Sequence, residues 1–158
     1  MKFFTIGVYN STEEEYFNKL NKNKIDTFCD IRQIRGVRGA KYSFVNSNRL
    51  QAKLKQLNIK YYHIIELAPT SEIRGLQKKE DLRRGELQRS RSSIGEPFAK
   101  AYKKMILSKF DFDAFILKLN ENGANQVVLF CVEENPEACH RSIVAEELKG
   151  LGYKVIHL

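Results

Sequence analysis

Five short apolar runs punctuate the chain, and longer stretches with helical spacing separate them. The runs lie at Phe3 to Val8, Ile25 to Ile31 (IDTFCDI), Lys60 to Ile65 (KYYHII), Gln126 to Cys131 (QVVLFC) and Tyr153 to Leu158. Each has strand length, and QVVLFC is the clearest, being nearly continuous in apolar residues and rich in valine. After the first run, Ser11 or Thr12 followed by Glu13, Glu14 and Glu15 reads as a helix start, because acidic side chains complement the positive end of the helix dipole. Phe17 and Leu20 then mark its core face. Arg49 to Leu57 repeats the spacing through Leu50, Leu54 and Leu57. Phe98, Ala101, Tyr102 and Met105 do so again, as do Phe115, Ile116 and Leu119 behind a cap at Asp111 or Asp113. A last helix runs to about Lys149, with Gly150 suited to stop it.

Strands alternating with helices predict a single-domain α/β fold with a mostly parallel central sheet flanked by helices. Such a sheet delivers every strand's C-terminal end to one rim, where functional residues collect. Asn10, Asp30, Arg32, His63 or Glu66, and Cys131 with the residues after it, are expected there. One segment breaks the pattern. Residues 68–96 are polar, heavily charged and weak in apolar periodicity, which predicts a surface excursion or lid; a solvated charged helix over Lys78 to Arg89 is the plainer alternative.

Composition narrows the class. A length of 158 residues suits one core, and 42% hydrophobic with 29% charged residues excludes disorder. The apolar run at the start meets Asn10 too early for a signal peptide or membrane span, so a cytoplasmic protein without a membrane partner is expected. In that compartment Cys29, Cys131 and Cys139 stay as thiols. Lysine and arginine outnumber aspartate and glutamate 27 to 19, a formal +8 that favours anionic partners: a phosphorylated small molecule or nucleic acid.

The densest chemistry is FCVEENPEACHRS at Phe130 to Ser142. Asn135 and Pro136 read as a helix N-cap and first helical residue, which puts Cys139, His140 and Arg141 at or just beyond the first turn. Free amides, the dipole and the Arg141 guanidinium then make an anion site. Cys139, beside His140 and Arg141, is the better nucleophile, whereas Glu133 raises the pKa of Cys131. Glu133 can act as acid or base; His140 is either a second such group or a half-buried core histidine on the face of Val144, Leu148 and Leu151. Cys131, Cys139 and His140 could supply three zinc ligands, but compact zinc sites pair ligands two to four residues apart, so no metal and no cofactor is expected. The loop with Arg32, Arg35, Arg38, Lys41, Tyr42 and Phe44 mixes cations with aromatics, as surfaces that hold phosphates and stack bases do.

These stretches resemble a known family. TIGVYN, CDIR, KYYHIIELAPTSEIRG and above all CVEENPEACHR are similar to domain of unknown function 488, whose late motif C-x-E-x-x-P-x-x-C-H-R is matched at Cys131, Glu133, Pro136, Cys139, His140 and Arg141. In the early motif T-I-G-H-S-N, Thr5, Gly7 and Asn10 agree while Val8 and Tyr9 replace histidine and serine. The resemblance implies a single α/β domain of cytoplasmic microbial type and no particular reaction. Taken together, the residues assign catalytic roles to Glu133, Cys139 and His140, and substrate binding to Asn10, Asp30, Arg32, Arg35, Phe44, Cys131 and Arg141. The leading expectation is an enzyme or binding domain for a phosphorylated nucleotide or nucleic acid. A nucleic-acid module without catalysis comes second, and a rhodanese-like thiol enzyme built on Cys131 third.

Overall fold

A computed structural model describes residues 1–158. Five strands, β1 (Lys2–Ile6), β2 (Thr27–Asp30), β3 (Lys60–His63), β4 (Gln126–Phe130) and β5 (Val155–His157), form one sheet in the order β3-β2-β4-β1-β5. Every pairing is parallel. Six α-helices connect them: α1 (Glu13–Lys22), α2 (Ser47–Gln56), α3 (Ser71–Arg84), α4 (Glu96–Met105), α5 (Phe112–Glu121) and α6 (Arg141–Gly150).

Parallel strands need helical crossovers, and crossovers cover both faces of the sheet, so alternate strand residues feed two separate cores. Phe4, Ile6, Phe28, Val128 and Phe130 pack against Tyr16, Phe17 and Leu20 of α1 and Leu50 and Leu54 of α2. Phe3, Cys29, Val127 and Leu129 face the other way, onto Phe98 and Tyr102 of α4, Phe115 and Leu119 of α5, and Val144 and Leu148 of α6. The two clusters hold 17 and 19 buried residues, so neither face is left for a partner to cover. No helix is long and apolar enough to cross a membrane.

Local chemistry sets the boundaries. Thr12 caps α1 and Glu15 reaches back to the Thr12 amide, a reciprocal capping box. Asp111 caps α5 by accepting from the Ala114 amide at 2.9 Å. Three expectations need correction. The charged excursion contains a 14-residue helix, α3, that begins seven residues before Lys78 and ends at Arg84, where Gly85 takes φ 67°. Gly150 lies inside α6, and Gly152, at φ 89°, makes the turn instead. Asn135 caps only a single 3-10 turn, Pro136–Ala138, and α6 starts five residues beyond Pro136, at Arg141.

Candidate active site

Strands β1 and β4 are neighbours whose following connections leave in opposite directions, β1 towards β2 and β4 towards β5. Such a switch point opens a crevice at the strands' C-terminal ends. The two loops there are pressed together: the amides of Val8 and Tyr9 both donate to the Val132 carbonyl, at 3.0 and 3.1 Å. Gly7 permits this, because a Cβ at that position would sit 1.9 Å from the Glu133 carbonyl oxygen.

The motif loop is braced from within. Arg141 is 1% exposed, and its guanidinium donates to the backbone carbonyls of Glu133 and Glu134. The first amides of α6 are also spent, Ser142 on the Cys139 carbonyl and Ile143 on that of His140. The expected free anion site at this helix start is therefore closed by the chain's own groups. What sits there is the Cys139 sulfur, 3.5 Å from the Arg141 amide.

Around that sulfur lie the other motif residues. His140 places Nδ1 3.6 Å from Cys139 Sγ and 3.9 Å from Cys131 Sγ, while Cys131 Sγ lies 3.3 Å from Glu133 Oε2. The far ring nitrogen, Nε2, donates to the Ile31 carbonyl at 3.1 Å, which fixes the ring's orientation. Burial alone would push the Cys139 thiol up, but the Cys131 thiol, the His140 ring and the Arg141 charge bring it well below the usual thiol range. Cys131 moves the other way, because its proton is held towards Cys139 and the site is desolvated. Burial, with the nearby Cys139, raises Glu133 to about 7. His140 loses proton affinity to burial and regains more from Cys139, ending above an ordinary histidine. Of the four side chains, Glu133 is the one placed to exchange a proton near neutral pH. No backbone amide donates to Cys131 Sγ, and a persulfide or phosphocysteine there would lack its cradle.

Above the cluster opens a cleft of about 650 Å³. Cys131, Glu133, Cys139 and His140 line its floor, the loop Arg32–Arg38 forms one wall, and residues 69–94 of the excursion form the other. Gln88 Nε2 donates to Glu133 Oε1 at 3.1 Å, and Arg91 reaches the Ala138 carbonyl while paired with Asp81 at 2.7 Å, so the excursion is docked on the motif loop. Six cationic side chains line the cleft, Arg32, Arg38, Arg74, Lys78, Arg89 and Arg91, against one carboxylate, Glu133.

The expected binding residues divide into two groups. Arg32 and Cys131 line the cleft. Asp30 is fully buried and holds Arg32 through both carboxylate oxygens, at 2.9 and 2.7 Å, with Phe130 stacked 4.4 Å from the guanidinium. Asn10, at φ 60°, bonds Glu134 and takes the Tyr42 hydroxyl as acceptor for its amide, tying loops together outside the cleft. Arg35 contributes its backbone carbonyl to Arg32 and to Ser47. Tyr42 and Phe44 are each 3% exposed and pack in the core, so the loop presents no stacking surface. His63 donates from Nε2 to the Arg32 carbonyl, and Glu66 is exposed.

Sequence reasoning offered the excursion as a lid, and in the nucleic-acid reading as part of the grip, but singled out none of its cleft-lining residues, Arg74, Lys78, Gln88, Arg89 and Arg91. Its charge density was visible, but nothing in the pattern aimed it at the motif loop.

Comparison with known proteins decides the family. The family model described as Domain of unknown function DUF488 matches residues 12–148. The chain belongs to the DUF488 family. No curated protein and no solved structure matches it. In this DUF488 chain the fold gives each of the six motif residues a place: Arg141 braces the loop, Pro136 opens the 3-10 turn, and Cys131, Glu133, Cys139 and His140 meet at the cleft floor.

Proposed function

We propose that this DUF488 domain binds a phosphate-bearing ligand of nucleotide size in the cleft and presents its reacting end to Glu133, Cys139 and His140. One observation carries the reading. Arg32 NH1 and Arg74 Nε are buried without a hydrogen-bond partner, and both belong to residues lining the cleft. A buried guanidinium donor left unpaired costs about 1–3 kcal/mol or more, and a phosphate oxygen would remove that cost at both. A cleft of about 650 Å³ suits a nucleotide-sized molecule, since small-molecule sites commonly span about 300–1,000 Å³.

In this reading Arg74, Lys78 and Arg89 attract and hold the phosphate, while Arg32, locked by Asp30, gives a rigid donor. Glu133 is the acid–base group, and the two residues after Ala138 line the floor at the reacting end.

A strand of nucleic acid is the second reading, because Arg38, Lys78 and Arg89 are exposed and extend the positive field beyond the cleft. Against base stacking, every tyrosine and phenylalanine is buried or half-buried.

Calorimetric titration with adenosine 5′-monophosphate, adenosine and a single-stranded oligonucleotide separates the two. The proposal expects saturable one-to-one binding of the monophosphate, none of adenosine, and at least about tenfold weaker binding by Arg74→Gln, the loss of one charge-assisted bond. Equal affinity for adenosine, or binding of the oligonucleotide alone with a steep salt dependence, overturns it.

A further inference from the structure

We infer that Cys131, Cys139 and His140 form a three-ligand site for a zinc-class divalent ion, with the fourth coordination position open to the cleft. Their spacing in the chain speaks against this, since seven residues separate the two cysteines. The fold overrides the spacing. Cys131 directly follows β4, the Pro136–Ala138 turn folds the loop back, and the two sulfurs and the imidazole nitrogen come to lie within 4.8 Å of one another.

The distances have the right size. A tetrahedral ion with metal–sulfur bonds of about 2.3 Å and metal–nitrogen bonds of about 2.0–2.1 Å holds sulfur and nitrogen about 3.6 Å apart. Here Nδ1 lies 3.6 Å from one sulfur and 3.9 Å from the other, and all three atoms lie within 4.8 Å of one another, against about 3.8 Å between sulfurs in the tetrahedron, so closing the triangle takes up to about 1 Å of movement. Two thiolates and a neutral imidazole also cancel the charge of a divalent ion, which suits a site where all three residues are at least 94% buried. Thiolate and imidazole donors together favour zinc over magnesium or calcium, which take oxygen ligands.

The surroundings are those of a ligand set. His140 Nε2 is held by the Ile31 carbonyl, which turns Nδ1 towards the sulfurs, and the Arg141 amide points at Cys139 Sγ. Metal-bound imidazoles and thiolates are oriented by such outer bonds. Glu133 lies beside the triangle with Oε2 3.3 Å from Cys131 Sγ, placed to accept from a water in the fourth position. All three ligands line the cleft, which gives the ion and that water an entry path. Binding displaces two protons in all, one from the Cys131 thiol and one from the Cys139–His140 pair.

The inference stands on the ligand geometry and not on the nucleotide reading. Its test is titration of the chelator-stripped protein with Co²⁺, followed by displacement with Zn²⁺. The expected result is one equivalent bound, with a thiolate-to-cobalt charge-transfer band and intense visible bands of tetrahedral cobalt, both abolished by Zn²⁺. Cys29→Ala keeps the spectrum, since Cys29 lies in β2 outside the triangle. Cys139→Ser weakens Zn²⁺ by more than the about 10–100-fold that losing an outer-shell bond costs. Should Cys139→Ser fail to fold, alkylation of native wild-type protein decides: one equivalent of Zn²⁺ must protect Cys131 and Cys139. Absence of the charge-transfer band, its persistence at undiminished intensity and affinity in folded Cys139→Ser, or unprotected thiols overturns the inference. Metal binding without nucleotide binding would sink only the preceding proposal.

Discussion

Gly7 and Arg141 show at single-residue scale how the site is assembled. Neither touches the cleft; both fix the loop that forms its floor. Gly7→Ala would drive a methyl group into the Glu133 carbonyl, and overpacking of this kind costs about 1–3 kcal/mol. A drop of that size in unfolding free energy, read from urea midpoints, is the expected outcome; an unchanged midpoint would mean that the loops are not so closely pressed. Arg141→Lys keeps the charge but cannot span two carbonyls with one planar fork, and should destabilise by about 2–3 kcal/mol on the same assay. The sequence made the motif's chemistry legible by residue type. It did not reveal that Arg141 is spent on the backbone, because a guanidinium beside a helix start reads equally well as a ligand clamp or a brace. The thiol–imidazole trio was named from the sequence and set aside on its spacing, since ligand-spacing rules describe residues on one turn and this loop closes through a separate one.

At the scale of elements, strands were readable because each is short, apolar and flanked by turns, and the parallel arrangement followed from their alternation with helices. Helix α3 was not, for a physical reason. Its buried stripe is Ile73, Gln77 and Asp81, spaced four residues apart as a helix requires, yet two of the three are polar. They are buried by bonding: Gln77 accepts from the Gly95 amide at 2.8 Å and Asp81 takes Arg91 through both oxygens. A hydrophobic-periodicity reading passes over a face built this way. The same bonds dock the excursion on the motif loop, so Asp81→Ala leaves Arg91 buried without its partner. Breaking such a pair costs about 3–5 kcal/mol. Hydrogen exchange should then show residues 85–95 opening far more readily while the amides of β1 and β4 stay protected. Uniform loss of protection across the sheet would show instead that the excursion and the core unfold together.

For the whole molecule, the two sequence features that matter are the excess of positive charge and the parallel sheet, and the fold brings them to one place. A net +8 has no direction in a sequence; here six cations line a single cleft over the switch point between β1 and β4. The aromatic residues expected to accompany them went into the core, which shifts the balance from strand gripping towards a compact anionic ligand. The most direct measurement is a crystal structure of the protein grown with adenosine 5′-monophosphate. The account predicts the phosphate in the cleft, within hydrogen-bonding distance of Arg32 NH1 and Arg74 Nε and facing the floor at Glu133. A phosphate bound elsewhere, with both guanidinium groups left without a partner, would contradict it.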